Sequence, residues 1–197
     1  MLKEKLKNHR LILASGSPRR QEFFKNLGLD FEIQLKPVKE EYPPRLTHFE
    51  ISNYLAQLKA LAFKDELQPK DILITSDTIV WHNNTALGKP RDNQKAFNIL
   101  KSLSNATHEV ITSVCFTTIT YTKTLYSITK VTFKELSDDE INYYIKNYQP
   151  FDKAGAYGIQ EWIGQIGVTK IEGSYFNVMG LPVHLVYKTL NAIAETT

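Results

Sequence analysis

Residues 11–20, Leu-Ile-Leu-Ala-Ser-Gly-Ser-Pro-Arg-Arg, decide how the first part of this 197-residue chain folds. The apolar residues predict a short buried strand, and Ser-Gly-Ser breaks it. Ser17 can cap a helix by accepting one of its N–H groups, and Pro18 suits the first helical position, where no N–H is needed. Apolar residues then continue at helical spacing up to Gly28, a predicted C-terminal cap. The stretch therefore predicts a strand, a tight turn and a helix.

The same turn has the features of an anion site. It aims backbone N–H groups and the positive end of a helix at one point. Arg19 and Arg20 add forked donors whose geometry suits phosphate oxygens. The alternative is a solvated Arg pair at an ordinary helix start, and the turn is not a Walker loop, because the Gly-rich stretch and its Lys-Ser/Thr ending are missing. We interpret the turn as an oligophosphate site, and the rest of the chain has to support that interpretation.

The length suits one sizeable domain or two small lobes, and the lack of repeats and low-complexity linkers in the sequence predicts one compact domain over residues 1–197. The chain is 42% hydrophobic and 23% charged, and no apolar run approaches the ~20 residues that cross a bilayer. The apolar stretch after the basic first ten residues is too short for a signal peptide. The single cysteine, Cys115, predicts a small buried residue and a reducing cytoplasm. A net charge of +3 is too mild to indicate nucleic acid, so we expect neither a nucleic-acid nor a membrane partner.

Strands and helices mix without strict alternation, which predicts an α/β fold with a mixed, twisted sheet flanked by helices. The predicted strands cover residues 11–14, 31–35 and 71–76, two long strands within 107–134, and a strand near 166–171. The predicted helices cover residues 18–27, 51–62, 92–103 and 137–145, and a last helix follows Gly180. Asn83-Asn84 predicts a hairpin turn, and Ser137 with Glu140 predicts a capping box.

Four charged residues outside the turn are candidates for chemistry. Asp77 closes a predicted buried strand, a position where α/β sheets collect catalytic carboxylates, although a turn residue is an equal alternative. Glu40 lies in the loop 37–44, where simple solvation is the default. Lys59 lies beside the apolar stripe of a helix, where a lysine ordinarily extends its ammonium to water. Lys89 stands between Gly and Pro, which restrict the backbone and hold the cation in place.

Residues 152–160, Asp-Lys-Ala-Gly-Ala-Tyr-Gly-Ile-Gln, form the most informative stretch after the opening turn. Their small residues allow the backbone to approach a ligand closely. Tyr157 offers stacking and Gln160 offers an amide that can hydrogen-bond a base. The segment therefore predicts part of a nucleotide site.

Together these motifs identify a family. The chain resembles the Maf proteins, nucleoside triphosphate pyrophosphatases of bacteria and eukaryotes, whose fold is distantly similar to that of inosine triphosphate pyrophosphatases. The resemblance rests on several motifs in the right order: residues 13–20, 76–80, 88–92, 152–160 and 171–182. It implies two lobes around a cleft, a nucleoside triphosphate as substrate and a homodimer.

The resemblance also implies which residues bind the phosphates. Ser15, Arg19 and Arg20 match triphosphate contacts, and Arg19 is also counted among the positions that set specificity. Lys59 matches the inward-reaching lysine of the long helix, and Lys89 matches a second phosphate lysine. These cations would neutralise charge on the phosphate oxygens during hydrolysis.

The catalytic and specificity residues are implied in the same way. Asp77 matches the catalytic acid, with Thr78 beside it as a substrate contact, and Glu40 would join Asp77 in holding a divalent cation, Mg²⁺ or Mn²⁺. Gln160 lies where the family separates its branches. The chain has Ser76 where many members have Ala, a small change that leaves the implied activity in place.

The form Gly-Ala-Tyr-Gly-Ile-Gln is similar to the branch that acts on dTTP and UTP, so the resemblance implies a metal-dependent pyrimidine triphosphate pyrophosphatase. Two alternatives stay open. One is the same chemistry on another base, such as methylated GTP. The other is a non-catalytic regulatory role in septum formation, with which the family has been linked. A pure binding module has no reason to keep the carboxylates and cations together.

Overall fold

The computed structural model of the protein describes residues 1–196. The helices are α1 (Leu2–Lys5), α2 (Pro18–Asn26), α3 (Phe49–Leu61), α4 (Asn93–Leu103), α5 (Asp138–Tyr148), α6 (Trp162–Gly167), α7 (Tyr175–Val178) and α8 (Val183–Thr196). The strands are β1 (Arg10–Leu13), β2 (Glu32–Ile33), β3 (Asp71–His82), β4 (Thr85–Leu87), β5 (Thr107–Thr117), β6 (Thr122–Phe133) and β7 (Val168–Glu172). Short 3₁₀ turns cover Pro150–Asp152 and Ala154–Ala156. The α/β class is confirmed.

Several local predictions are confirmed by backbone geometry. Gly28 follows the end of α2 with a φ of 67°, the left-handed conformation that glycine adopts at no steric cost. Asn83 and Asn84 have φ values of 47° and 57°, as a tight hairpin turn between β3 and β4 requires. Ser137 and Glu140 form the reciprocal capping box of α5.

Other boundaries differ from the prediction. β2 is only two exposed residues long, because the alternating stretch 31–35 pairs with β1 through Glu32 and Ile33 alone. β3 runs on to His82, well beyond the predicted end at residue 76. The short helices α6 and α7 were not predicted, since a helix of four to six residues is too short to show a period.

The strands hydrogen-bond in the order β2-β1-β3-β5-β6-β7, with β4 paired to β3. β1 is parallel to both β2 and β3, whereas the β3–β4 and β6–β7 pairs are antiparallel, so the sheet is mixed as predicted. Among residues 1–196, none of the helices combines the length and apolar character that crossing a membrane would require.

The chain divides into two compact units. The first comprises Met1–Asp77, Thr112–Ser127 and the residues from Gly180 onward. In its interior α3 packs on the sheet through Ala56 and Ala60, which meet Leu73 of β3 and the fully buried Cys115 of β5. Cys115 is thus a core residue, as predicted.

The second unit comprises Thr78–Ile111 and Ile128–Met179. Its core lies between α4, α5 and strand residues, and the residue with the largest fully buried side chain is Tyr144 of α5. A single domain over residues 1–197 stays a prediction.

Candidate active site

The turn after β1 is organised around Ser15. Its side chain is buried, and its Oγ accepts the backbone N–H of Ser17 at 3.3 Å. Ser17 occupies the N-cap position of α2 with Pro18 in the first turn, as predicted, but its own side chain makes no capping hydrogen bond within residues 1–196. The Ser15 hydroxyl therefore orders the turn in place of the predicted Ser17 cap.

Arg20 is fixed by backbone carbonyls of the first unit. Its Nε donates to the carbonyl of Gly180 at 2.7 Å, and its Nη1 donates to the carbonyl of Ser76 at 2.9 Å. Burial lowers the pKa of the Arg20 guanidinium, while the charge of Asp77 opposes the change, and an arginine stays protonated throughout. Arg20 is thus a fixed positive charge at the turn, and Arg19, half-buried, precedes it.

Lys59, Asp77 and Glu40 converge in the first unit. The Lys59 Nζ lies 2.6 Å from Asp77 Oδ1 and 2.8 Å from Glu40 Oε1. The Asp77 side chain is 9% exposed and that of Lys59 18%, whereas that of Glu40 is 46% exposed. Contrary to the default for a helix-flank lysine, Lys59 points inward and joins a carboxylate from a strand with one from a loop.

A hydrogen bond between α3 and β3 explains this placement. Thr75 Oγ1 donates to the carbonyl of Ala56 at 2.7 Å in a buried position. Thr75 precedes Asp77 by two residues, so both side chains point to the same face of the strand. Ala56 precedes Lys59 by three residues, so both lie on one face of the helix. The bond therefore fixes the register in which Lys59 meets Asp77, and no local sequence pattern indicates it.

Burial raises the pKa of Asp77 above its ordinary value, and the positive charges of Lys59 and Arg20 partly oppose this shift. A carboxylate that binds a proton more readily is a better general base near neutral pH. Asp77 lies within β3 and not at its end, which corrects the sequence prediction. Parallel pairing with β1 nevertheless stops at Ile74, so Asp77 lies beyond the carboxyl end of the parallel ladder, where α/β sheets place catalytic groups.

The remaining candidates lie in the second unit. Thr78 follows Asp77 in β3 and is half-buried. Lys89 is exposed in the loop after β4, and the carbonyl of Gly88 accepts the N–H of Gly155 at 3.3 Å. That bond brings the lysine loop beside the segment that leads to half-buried Gln160. The second unit therefore holds Lys89 and the Gln160 segment next to each other.

The sequence profile of the family described as Maf-like protein matches residues 10–193. The chain belongs to this family.

Its Maf relatives match over nearly their whole length. A protein of Flavobacterium johnsoniae named dTTP/UTP pyrophosphatase is 65% identical over 193 residues, covering 98% of this chain and all of the relative. A protein of Christiangramia forsetii with the same name is 56% identical over 196 residues and covers both chains fully. Among solved structures, the Staphylococcus aureus Ham1 protein has a TM-score of 0.54 at 17% identity, covering 93% of this chain and 99% of that one. This last similarity supports the fold alone.

One aromatic residue of the Maf motif region does not have its predicted role. Tyr157 is 6% exposed, and its hydroxyl lies 2.7 Å from His108 Nε2. Its ring packs edge-on against Phe133 with centroids 5.1 Å apart. The prediction that Tyr157 stacks on a base is therefore wrong, because its ring belongs to the core of the second unit.

The Ser76 departure from the usual Maf sequence also has a structural reading. The side chain of Ser76 is buried, and its hydroxyl makes no hydrogen bond to any of residues 1–196. Ser76 contributes its carbonyl oxygen to the site, and this oxygen accepts a hydrogen bond from Arg20. Because any residue supplies a carbonyl, a Ser or an Ala at this position leaves that contact intact.

His108 should make the stability of this protein sensitive to mild acid. Burial lowers its pKa from 6.5 to about 3. As the pH falls below 6.5, the unfolded chain binds a proton at this residue and the folded chain does not, so stability is lost from there down to about pH 3. Between pH 7 and 5 the wild-type free energy of unfolding should fall by ~2 kcal/mol more than that of His108→Gln. Urea unfolding of both proteins at several pH values measures the difference, and parallel curves would contradict it.

Proposed function

We propose that this protein hydrolyses dTTP and UTP to the nucleoside monophosphate and pyrophosphate. The observation that carries the proposal is the convergence of Asp77 and Glu40 on the Lys59 ammonium, in the same unit as the fixed charge of Arg20. These carboxylates and cations supply what hydrolysis of a triphosphate requires. A carboxylate can act as the base, and the cations can neutralise the negative charge of the phosphate oxygens. The names of the Maf relatives supply the substrate class.

The first unit supplies most of the chemistry in this proposal. Lys59 and Arg20 neutralise phosphate oxygens, and Ser15 and Arg19 complete the phosphate contacts at the turn. The Asp77 carboxylate accepts the proton of the attacking water, helped by the raised pKa that its burial causes. The water oxygen bonds to the α-phosphorus as the anhydride bond between the α- and β-phosphates breaks, and pyrophosphate leaves with the bonding electrons.

A divalent cation fits the donor set. Glu40 and Asp77 each place a carboxylate oxygen within 2.8 Å of the Lys59 Nζ, so the two carboxylates lie close enough together to share a metal ion. Within residues 1–196, no group of three or more His, Cys, Asp or Glu side chains is arranged to hold a metal. Mg²⁺ is commonly held by one or two carboxylates with water and substrate phosphates as the other ligands. We propose that Glu40 and Asp77 hold Mg²⁺ or Mn²⁺, which would supply positive charge to the phosphates.

Lys89, Thr78 and Gln160 enter the proposal through the family resemblance. Lys89 is assigned a phosphate contact and Thr78 a substrate contact. Gln160 is assigned the base, because one amide offers both a donor and an acceptor and can match the N3–H and a carbonyl of uracil or thymine. We also propose a homodimer in the cytoplasm; light scattering of the purified protein distinguishes a dimer from a monomer.

The base assignment predicts a substrate ranking. Cytosine presents an amino group and an unprotonated N3, so a Gln160 amide held in the orientation that matches uracil would leave polar groups mismatched, at ~1–3 kcal/mol each when buried. The kcat/KM values for dTTP and UTP should therefore exceed those for CTP, ATP and GTP by roughly tenfold or more. Gln160→Ala should flatten this ranking more than it slows dTTP hydrolysis.

The measurement is release of pyrophosphate and monophosphate by the purified protein from a panel of nucleoside triphosphates with Mg²⁺. Gln165→Ala serves as a control, because Gln165 is an exposed glutamine on α6. A wild-type preference for purine triphosphates would reject the base assignment and leave the phosphate chemistry standing. Absence of hydrolysis of any triphosphate would reject the enzyme itself.

A further inference from the structure

One buried hydroxyl makes hydrogen bonds to residues on both sides of Gln160. Tyr144 of α5 is fully buried, and its hydroxyl accepts the backbone N–H of Gly158 at 3.0 Å. The same hydroxyl donates a short hydrogen bond to the Glu161 carboxylate. Gly158 and Glu161 flank Ile159 and Gln160 directly, so a rigid helix is connected to the backbone on either side of the glutamine.

The other oxygen of Glu161 extends this arrangement. Lys153 Nζ lies 3.2 Å from Glu161 Oε1 and 2.8 Å from Asp152 Oδ1. The Lys153 and Glu161 side chains are 9% and 20% exposed, so the ion pair between these two residues is largely removed from water. Glu161 directly follows the segment 152–160, and Lys153 lies near the start of that segment. The Glu161 carboxylate therefore links the two ends of the segment and, through Tyr144, connects them to α5.

The backbone around Gln160 is also tightly packed. A Cβ on Gly158 would lie 2.7 Å from the carboxyl carbon of Glu161, and a Cβ on Gly164 would lie 2.0 Å from the carbonyl oxygen of Ile159. Both are closer than real Cβ contacts. Glycine is needed at position 164 because the Ile159 backbone lies so close, whereas a Cβ at position 158 would push aside the end of the Glu161 side chain. The position of Gln160 thus depends on where Glu161 is held.

We infer that Tyr144 is a positioning residue for Gln160 and thereby a determinant of base choice, without touching the substrate. The inference rests on the proposed function, in which Gln160 binds the base. An amide discriminates between bases only when its donor and acceptor meet their partners at hydrogen-bond distance and angle. Removing the hydroxyl frees Gly158 and Glu161 to move, and the alignment of Gln160 is lost with them.

The test is Tyr144→Phe, which removes one oxygen and keeps the ring that packs in the core. The ratio of kcat/KM for dTTP to that for CTP should fall about tenfold, as loss of one buried hydrogen bond allows. The kcat for dTTP should stay within about threefold of wild type, and its KM should rise, since binding is affected and not the proton transfer. Tyr148→Phe is the matched control, because Tyr148 is on the same helix, stacks on Tyr144 at 5.1 Å and is partly exposed. It should keep the wild-type ratio.

A double-mutant cycle separates positioning from general damage. If Tyr144 acts through Gln160, then adding Tyr144→Phe to Gln160→Ala should leave the already lowered ratio unchanged. A further fall in the double mutant would overturn the inference. Glu161→Gln weakens the same hydrogen bond from its other end and should lower the ratio in the same direction. A wild-type ratio in Tyr144→Phe would also overturn it.

The outcome for Gln160→Ala distinguishes the two levels of the argument. If that variant keeps the wild-type ranking, the base assignment fails and the role of Tyr144 fails with it. If Gln160→Ala flattens the ranking and Tyr144→Phe does not, the positioning role alone fails.

Discussion

Asp77→Asn is expected to fold normally and to lose at least ~100-fold in kcat on dTTP, the lower range for loss of a general base. The substitution keeps the shape of the side chain and removes both its charge and its ability to accept a proton. Lys59 retains Glu40 as a partner, and a neutral amide costs less to bury than a carboxylate, so the fold should be preserved. Pyrophosphate release under saturating dTTP and Mg²⁺ measures the loss.

Asp65→Asn is the control for this experiment, since Asp65 is an exposed aspartate between α3 and β3. It should keep the wild-type rate. Circular dichroism and thermal unfolding of both variants check the fold. Near-normal turnover by Asp77→Asn would remove Asp77 from the mechanism.

Chelation with EDTA is expected to abolish activity, and added Mg²⁺ or Mn²⁺ to restore it. The carboxylate oxygens of Glu40 and Asp77 suit these hard cations, and the triphosphate contributes further oxygen ligands when it binds. Glu40→Gln should raise the Mg²⁺ concentration required for half-maximal rate, because one charged ligand is replaced by a neutral one. Titration of dTTP hydrolysis with Mg²⁺ measures both effects. Full turnover by exhaustively chelated enzyme would exclude the two-carboxylate metal site.

The sequence predicts the first turn better than it predicts β3. Residues 11–20 carry local signals, and the strand, turn and helix form where those signals place them. The sequence predicts that β3 ends at residues 76–77, yet it runs on to His82 and Asp77 is buried within it. The buried Thr75 hydroxyl donates a hydrogen bond to the carbonyl of Ala56, nineteen residues earlier in the chain. A partner that distant leaves no local pattern.

The residue types of the candidate site were predicted, but the contacts between them were not. A lysine on the flank of a helix is ordinarily solvated; the family resemblance implies that Lys59 reaches inward, and the fold shows that its partner there is Asp77. The prediction for Tyr157 was wrong. A tyrosine among small residues suggested a ring that stacks on a base, whereas the small residues allow the segment to pack against the core, as Gly155 packs against Val80.

Lys59 also bears on whether the protein needs a metal ion in order to fold. Two carboxylates placed side by side repel each other, and a site of this kind can require its cation before the chain will fold. Here a covalently attached ammonium already occupies the position between them. The protein should therefore reach its native state without divalent ions, and the metal dependence proposed above would concern its activity and not its folding.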